Sequence, residues 1–277
     1  MLLRGITLLS LVIAAAFCFG FDAFVGFAWL WMLPVSFAAS WLALLVIAFL
    51  YLYIMCARVD KSVPQEEDSP FYRRLAAVYI EAIIKLVRVR VHTEGLEKTP
   101  KEGRFLLVCN HLFDADPGIL LHYFKDSQLA FISKKENSDM LIVGDIMHKI
   151  QCQMIDREND RQALKTILKC IQIIKEDKAS IAVFPEGYCS RDNKLHHFRP
   201  GVFKIAQKTG VPIVVCTIRN TRAILPNFLR LKPTDVELHL VDVIPGEEVR
   251  GVPTVELSDR VHRLMAEDLG PDLVAEE

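Results

Sequence analysis

Phe105-Leu106-Leu107-Val108-Cys109-Asn110-His111-Leu112-Phe113-Asp114-Ala115-Asp116-Pro117 passes from a run of apolar residues straight into a polar turn. Five apolar residues in succession suit a strand buried on both faces. Proline at 117 suits the first turn of a helix, so Asp116 is expected to begin one. Outward from this stretch, strand-like segments fall at 87–91, 129–132, 153–155, 181–184, 212–218 and 236–243. Helical spacing falls near 71–86, 117–124, 140–149, 161–176, 201–208 and 255–269. Strands that alternate with helices of this length indicate an α/β sandwich around a mixed, mostly parallel sheet.

The 277 residues are 52% apolar with a mean hydropathy of +0.26, high for a soluble globule. The excess sits at the N-terminus, where residues 1–57 carry only Arg4 and Asp22 as charges. The remainder holds 32 of the 33 Lys and Arg and 33 of the 34 Asp and Glu, an ordinary density for a soluble domain. The expected organisation is a hydrophobic, membrane-anchoring two-helix hairpin over 1–57, a polar linker over 58–70 and an α/β domain over 71–277. Residues 2–21 and 33–55 each match a hydrocarbon core about 30 Å thick. Asp22 would cost about 2.5–3.5 kcal/mol at mid-bilayer, so it is expected at an interface, next to Trp29 and Trp31. Arg58, Lys61, Arg73 and Arg74 follow the second run, while the connecting loop has no Lys or Arg. Positive-inside bias then puts the domain on the cytoplasmic face of the membrane. A cleaved signal over residues 1–16 and a monotopic anchor bent at Pro34 are the competing readings. A net charge of -1 gives no electrostatic basis for nucleic-acid binding. Seven cysteines without a CxxC pair suggest reduced thiols and no zinc spacing.

Ligands of open α/β sheets gather beyond the carboxyl ends of the strands, and three such ends are polar. His111 follows one strand, with Asp116 five residues on. Five helical residues turn about 500°, so the two can meet only if a turn separates them. Imidazole takes a proton near neutral pH, and a carboxylate on its other nitrogen fixes the tautomer. Phe184-Pro185-Glu186-Gly187 ends a second strand, with Glu186 and Arg191 expected to project from its turn. Asp156-Arg157 ends a third.

Taken together, Asn110-His111-x4-Asp116, Asp156-Arg157, Phe184-Pro185-Glu186-Gly187 and Val211-Pro212-Ile213-Val214 resemble the four ordered blocks of the glycerolipid acyltransferases. They are most similar to the 1-acylglycerol-3-phosphate (lysophosphatidic acid) type. The resemblance implies that His111 is a general base oriented by Asp116, with no covalent acyl-enzyme. It implies that a fatty acyl group moves from acyl-CoA or acyl carrier protein, as co-substrate, to the hydroxyl of a lysophospholipid, with no cofactor and no metal. It also implies that Asn110, Glu186 and Gly187 position the acceptor, while Lys134, Arg157 and Arg191 hold its phosphate. The third block usually continues Thr-Arg-Ser. Here it reads Tyr188-Cys189-Ser190, so Cys189 stands at the arginine position and Arg191 is the nearest replacement. That departure leaves room for another head group. Two other classes compete: a metal-dependent phosphoesterase built on His111, Asp114 and Asp116, and a non-catalytic lipid-binding homologue.

Overall fold

The computed structural model describes residues 1–156 and 159–276. The chain divides into two compact units, Met1–Asp60 and Lys61–Glu277.

In the first unit, α1 (Leu2–Gly20) and α2 (Trp29–Ala57) are both long and apolar enough to cross a membrane. Ile6, Ser10, Ala14 and Cys18 recur every four residues along α1 and are buried. Mostly small side chains there let two helices approach closely where lipid removes the hydrophobic drive to pack. Ser10 donates to its own Ile6 carbonyl (2.8 Å), and the Trp41 indole donates to Thr7 (3.3 Å). The outward faces are apolar, with Leu8, Val12, Phe19, Val46 and Ile47 exposed, as suits membrane association. Asp22 lies between the helices in a left-handed conformation, φ 49°, and α2 runs through Pro34 unbroken.

The second unit begins with α3 (Pro70–Leu86), capped by the Ser69 side chain with Pro70 at its first position. Then come β1 (Val89–Glu94), β2 (Leu106–Cys109), α4 (Asp116–Tyr123), β3 (Leu129–Lys134), α5 (Val143–Lys149) and β4 (Gln153–Ile155). The chain continues through α6 (Asp160–Lys175), β5 (Ser180–Val183), α7 (Lys204–Thr209), β6 (Ile213–Arg219) and α8 (Ile224–Leu229). It closes with β7 (Thr234–Ile244), α9 (Gly246–Val249) and α10 (Thr254–Leu269). The seven strands form one sheet in the order β1-β7-β6-β2-β5-β3-β4. Every neighbouring pair is parallel except β6 and β7, whose antiparallel ladder carries a bulge at Val215/Cys216. The carboxyl ends of β6, β2, β5, β3 and β4 therefore share one edge. This is the mixed, mostly parallel α/β fold that the alternating pattern implies.

Helices cover both faces. Leu106 and Val108 point into a core with α6, α7 and α10, including Ile167, Ile171, Ile205, Val261 and Met265. Leu107 and Cys109 point to the other face, against Ile119, Leu120 and Phe124 of the α4 region. Burial on both sides explains the unbroken apolar run of β2. α3 docks on that second face: Arg73 bonds Asp68 (2.7 Å) and donates to the carbonyls of Leu129 (2.9 Å) and Ile150 (3.3 Å). The Arg73 guanidinium is thereby committed to the domain. The helix expected over 201–208 is half 3-10, at Pro200–Phe203, and half α7. α8, which contains Pro226 and spans six residues, has too short a pattern to stand out in the sequence. Leu107→Ala removes a fully buried side chain from the central strand. It should cost about 2–5 kcal/mol, read as a lowered denaturation midpoint of the purified protein in detergent.

Candidate active site

Register builds the site. β2 and β5 are neighbours with Val108 opposite Val183, so His111 and Glu186, each three residues further on, leave the sheet side by side. On the far side of β5, β3 ends at Lys134, which pairs with Ile155 at the end of β4.

The expected turn exists. Residues 111–115 carry the chain away from β2, and α4 begins at Asp116. Asp116 is fully buried, and its Oδ2 accepts from His111 Nδ1 (2.9 Å) and from the backbone N–H groups of Leu112 (2.7 Å) and Phe113 (2.8 Å). Three donors on one oxygen hold the carboxylate as an acceptor. Nδ1 of a neutral imidazole in this setting carries the proton, and the Nε2 lone pair is left facing outward. The Phe184 ring stacks on the imidazole at 4.1 Å and 16°, which fixes the ring plane.

Glu186 does not project from its turn. It is 1% exposed. One of its oxygens accepts from the His111 backbone N–H (2.9 Å) and the other from that of His196 (3.2 Å). The carboxylate braces the two loops because their amides are its nearest donors. Asn110 is likewise turned inward: its side chain exchanges two hydrogen bonds with the backbone of Ile218 (2.9 and 2.8 Å). That exchange prolongs the β2–β6 pairing beyond the ladder. Gly187 adopts φ +84°, a conformation that favours glycine, and a Cβ there would meet Arg199 Nε at 3.0 Å, so a side chain would also have to displace the guanidinium slightly.

Cys189 comes to His111. Its Sγ lies 2.9 Å from Nε2 and 3.5 Å from Asp114 Oδ1. Burial and the Asp114 carboxylate push this thiol up to about 12, while the nearby Lys134 ammonium pulls the other way. Arg191 is exposed, two residues further along the turn, and Arg157 lies outside the described residues. Arg222 donates to the Ser190 carbonyl (2.7 Å), and the Ser190 N–H donates to the His111 carbonyl (2.7 Å). The roles of Arg199, Arg222 and Phe184 have no signature in the sequence beyond charge or aromaticity near a turn. A cavity of about 330 Å³ opens beside the turn, lined by Ile132, Leu164, Val183, Phe184, Gly187 and Arg199 among others.

A histidine–carboxylate pair at the carboxyl edge of a mostly parallel sheet can do general-base chemistry, and it is found here in an enzyme of the acyl-transferring class. The family model for acyltransferases matches residues 90–219, and the chain belongs to that family of enzymes. A probable 1-acyl-sn-glycerol-3-phosphate acyltransferase of Mycoplasma pneumoniae is 32% identical over 190 residues, which is 66% of this chain and 70% of that protein. The 1-acyl-sn-glycerol-3-phosphate acyltransferase of Borreliella burgdorferi is 27% identical, over 63% of this chain and 72% of its own length. The crystal structure of the 1-acyl-sn-glycerophosphate (LPA) acyltransferase PlsC from Thermotoga maritima superposes with a TM-score of 0.58 at 25% identity. That match covers 71% of this chain and 79% of the other.

Burial raises the Glu186 carboxyl from 4.5 to about 7, against the pull of its two backbone donors. The folded state thus binds more protons than the unfolded chain between those values, and stability falls as pH rises across that window. The loss is about 3 kcal/mol. Glu186→Gln removes it: the stability difference between the two proteins should shift towards the variant from pH 5 to 8 and level off above. Thermal unfolding over a pH series checks this.

Proposed function

We propose that the protein transfers a fatty acyl group from an acyl thioester to the free hydroxyl of 1-acylglycerol 3-phosphate, giving phosphatidic acid. The observation that carries this reading is the His111 Nδ1–Asp116 hydrogen bond, with Nε2 directed away from the carboxylate. The names of the relatives supply the acceptor.

His111 Nε2 takes the proton of the acceptor hydroxyl as its oxygen attacks the thioester carbonyl carbon. Asp116 stabilises the imidazolium that forms. The tetrahedral intermediate collapses with cleavage of the C–S bond. The leaving thiolate, of coenzyme A or acyl carrier protein, recovers the proton from His111. The hydroxyl must take the place on Nε2 that the Cys189 thiol holds, which a rotation about the Cys189 Cα–Cβ bond allows. Neither an acyl-enzyme nor a cofactor is needed. Lys134, Arg157 and Arg191 supply positive charge for the acceptor phosphate, and Gly187 with Arg199 shapes the acceptor side of the turn. The apolar lining of the cavity beside Phe184 suits an alkyl chain. Glu186 serves the reaction by holding the His111 backbone in place.

The hairpin puts this chemistry where both substrates partition. The basic residues after α2 favour a cytoplasmic face for the domain, where both acyl donors occur.

Purified protein in detergent, offered labelled acyl-CoA or acyl carrier protein against a panel of lysolipids, should convert 1-acylglycerol 3-phosphate fastest, with the product identified by mass. His111→Ala should lower turnover more than a hundredfold. Residual turnover above about a hundredth of wild type, in a variant with an unchanged unfolding profile, would falsify the base assignment.

A further inference from the structure

On its outer side, His111 meets two groups that acyl transfer does not use. A ring nitrogen of His111, Sγ of Cys189 and a carboxylate oxygen of Asp114 all lie within 4.8 Å of one another, and Nε2 is the nitrogen that faces the sulfur. We propose that this cluster is a binding site for a thiophilic divalent cation, Zn²⁺ above all, held by His111, Cys189 and Asp114.

The donor set decides the kind of cation. One imidazole, one thiolate and one carboxylate suit zinc, whereas calcium and magnesium demand mostly oxygen ligands. Ligand atoms of a tetrahedral zinc lie about 3.3–3.7 Å apart, given zinc bond lengths of about 2.0–2.3 Å. The Sγ–Oδ1 distance of 3.5 Å already falls in that range, and the Sγ–Nε2 distance of 2.9 Å must open by about half an ångström. Three protein ligands with an exposed carboxylate leave the fourth position to solvent. The support behind the imidazole is built: Asp116 accepts from Nδ1, the arrangement that orients metal-binding histidines and makes Nε2 a better donor. The thiol gives up its proton to water on ligation. Thiolate and carboxylate then offset the two positive charges of the ion. A phosphoesterase set of His111, Asp114 and Asp116 does not match this geometry, because the bonded oxygen of Asp116 sits on Nδ1, not beside Nε2. The ligands are separated by 3 and 75 positions in the chain, so no spacing in the sequence announces them.

A cation on Nε2 occupies the lone pair that acyl transfer requires and so competes with the acceptor hydroxyl. That consequence rests on the base reading of His111; the site itself does not.

The test uses the full-length protein in detergent with Zn²⁺ for affinity and Co²⁺ as the spectroscopic probe. Wild type should take up one Zn²⁺ per chain, and its Co²⁺ form should show a thiolate charge-transfer band. Cys189→Ala should lose that band and bind Zn²⁺ at least tenfold more weakly. Asp114→Asn, a change at an exposed position with little bearing on folding, should also weaken binding. Equal Zn²⁺ affinity in wild type and both variants, or a Co²⁺ form without the band, overturns the proposal. Cys189-dependent uptake of one Zn²⁺ with undiminished turnover upholds the cation site and overturns the base assignment instead.

Discussion

Asp116 gathers three hydrogen-bond donors onto one buried oxygen while serving as the first residue of α4. A carboxylate stripped of water has to be compensated by such donors, since an uncompensated buried charge costs several kcal/mol. Two of the three come from the backbone of the very turn that separates it from His111. The turn, the helix start and the imidazole orientation are therefore one cooperative arrangement. Its opposite oxygen has no partner among the described residues, so the anionic character is concentrated where His111 meets it.

Around that arrangement, the sheet does the long-range work. Parallel pairing of β2 with β5 fixes where two segments 75 residues apart leave the sheet, and Glu186 then clips them together through the His111 amide. Ser190 adds a second clip to the His111 carbonyl, and Arg222 steadies Ser190 from the segment after β6. His111 is thus held on both sides of its own residue, through its N–H by Glu186 and through its carbonyl by Ser190, the kind of rigid support that keeps a side chain in one geometry.

Much of this is legible in the amino-acid order. The strand–turn–helix grammar of 105–117 marks Asp116 as a helix start, the condition under which it can meet His111, because proline favours the first turn of a helix. Alternation of helix and strand periods gives the mixed sheet, and the charge gap over 1–57 gives the hairpin. Other features are not local enough to read. Glu186 and Asn110 look like ligand contacts by residue type, yet their polar atoms are taken up by backbone groups of other loops and strands, 10 to 108 residues away. Arg73 looks like a surface charge, yet reaches carbonyls more than fifty residues on. Cys189 differs from both: the substitution itself is visible, but its approach to Nε2 depends on how the 187–190 turn folds back.

The single antiparallel pair between β6 and β7 has a further effect. Because β7 and β1 run the opposite way, they present their amino ends at the edge where the dyad lies, and β6 closes the row of loops on that flank. The opposite flank, after β3 and β4, is open-ended. A loop on that flank can change length without altering the β2–β5 register that sets His111 beside Glu186.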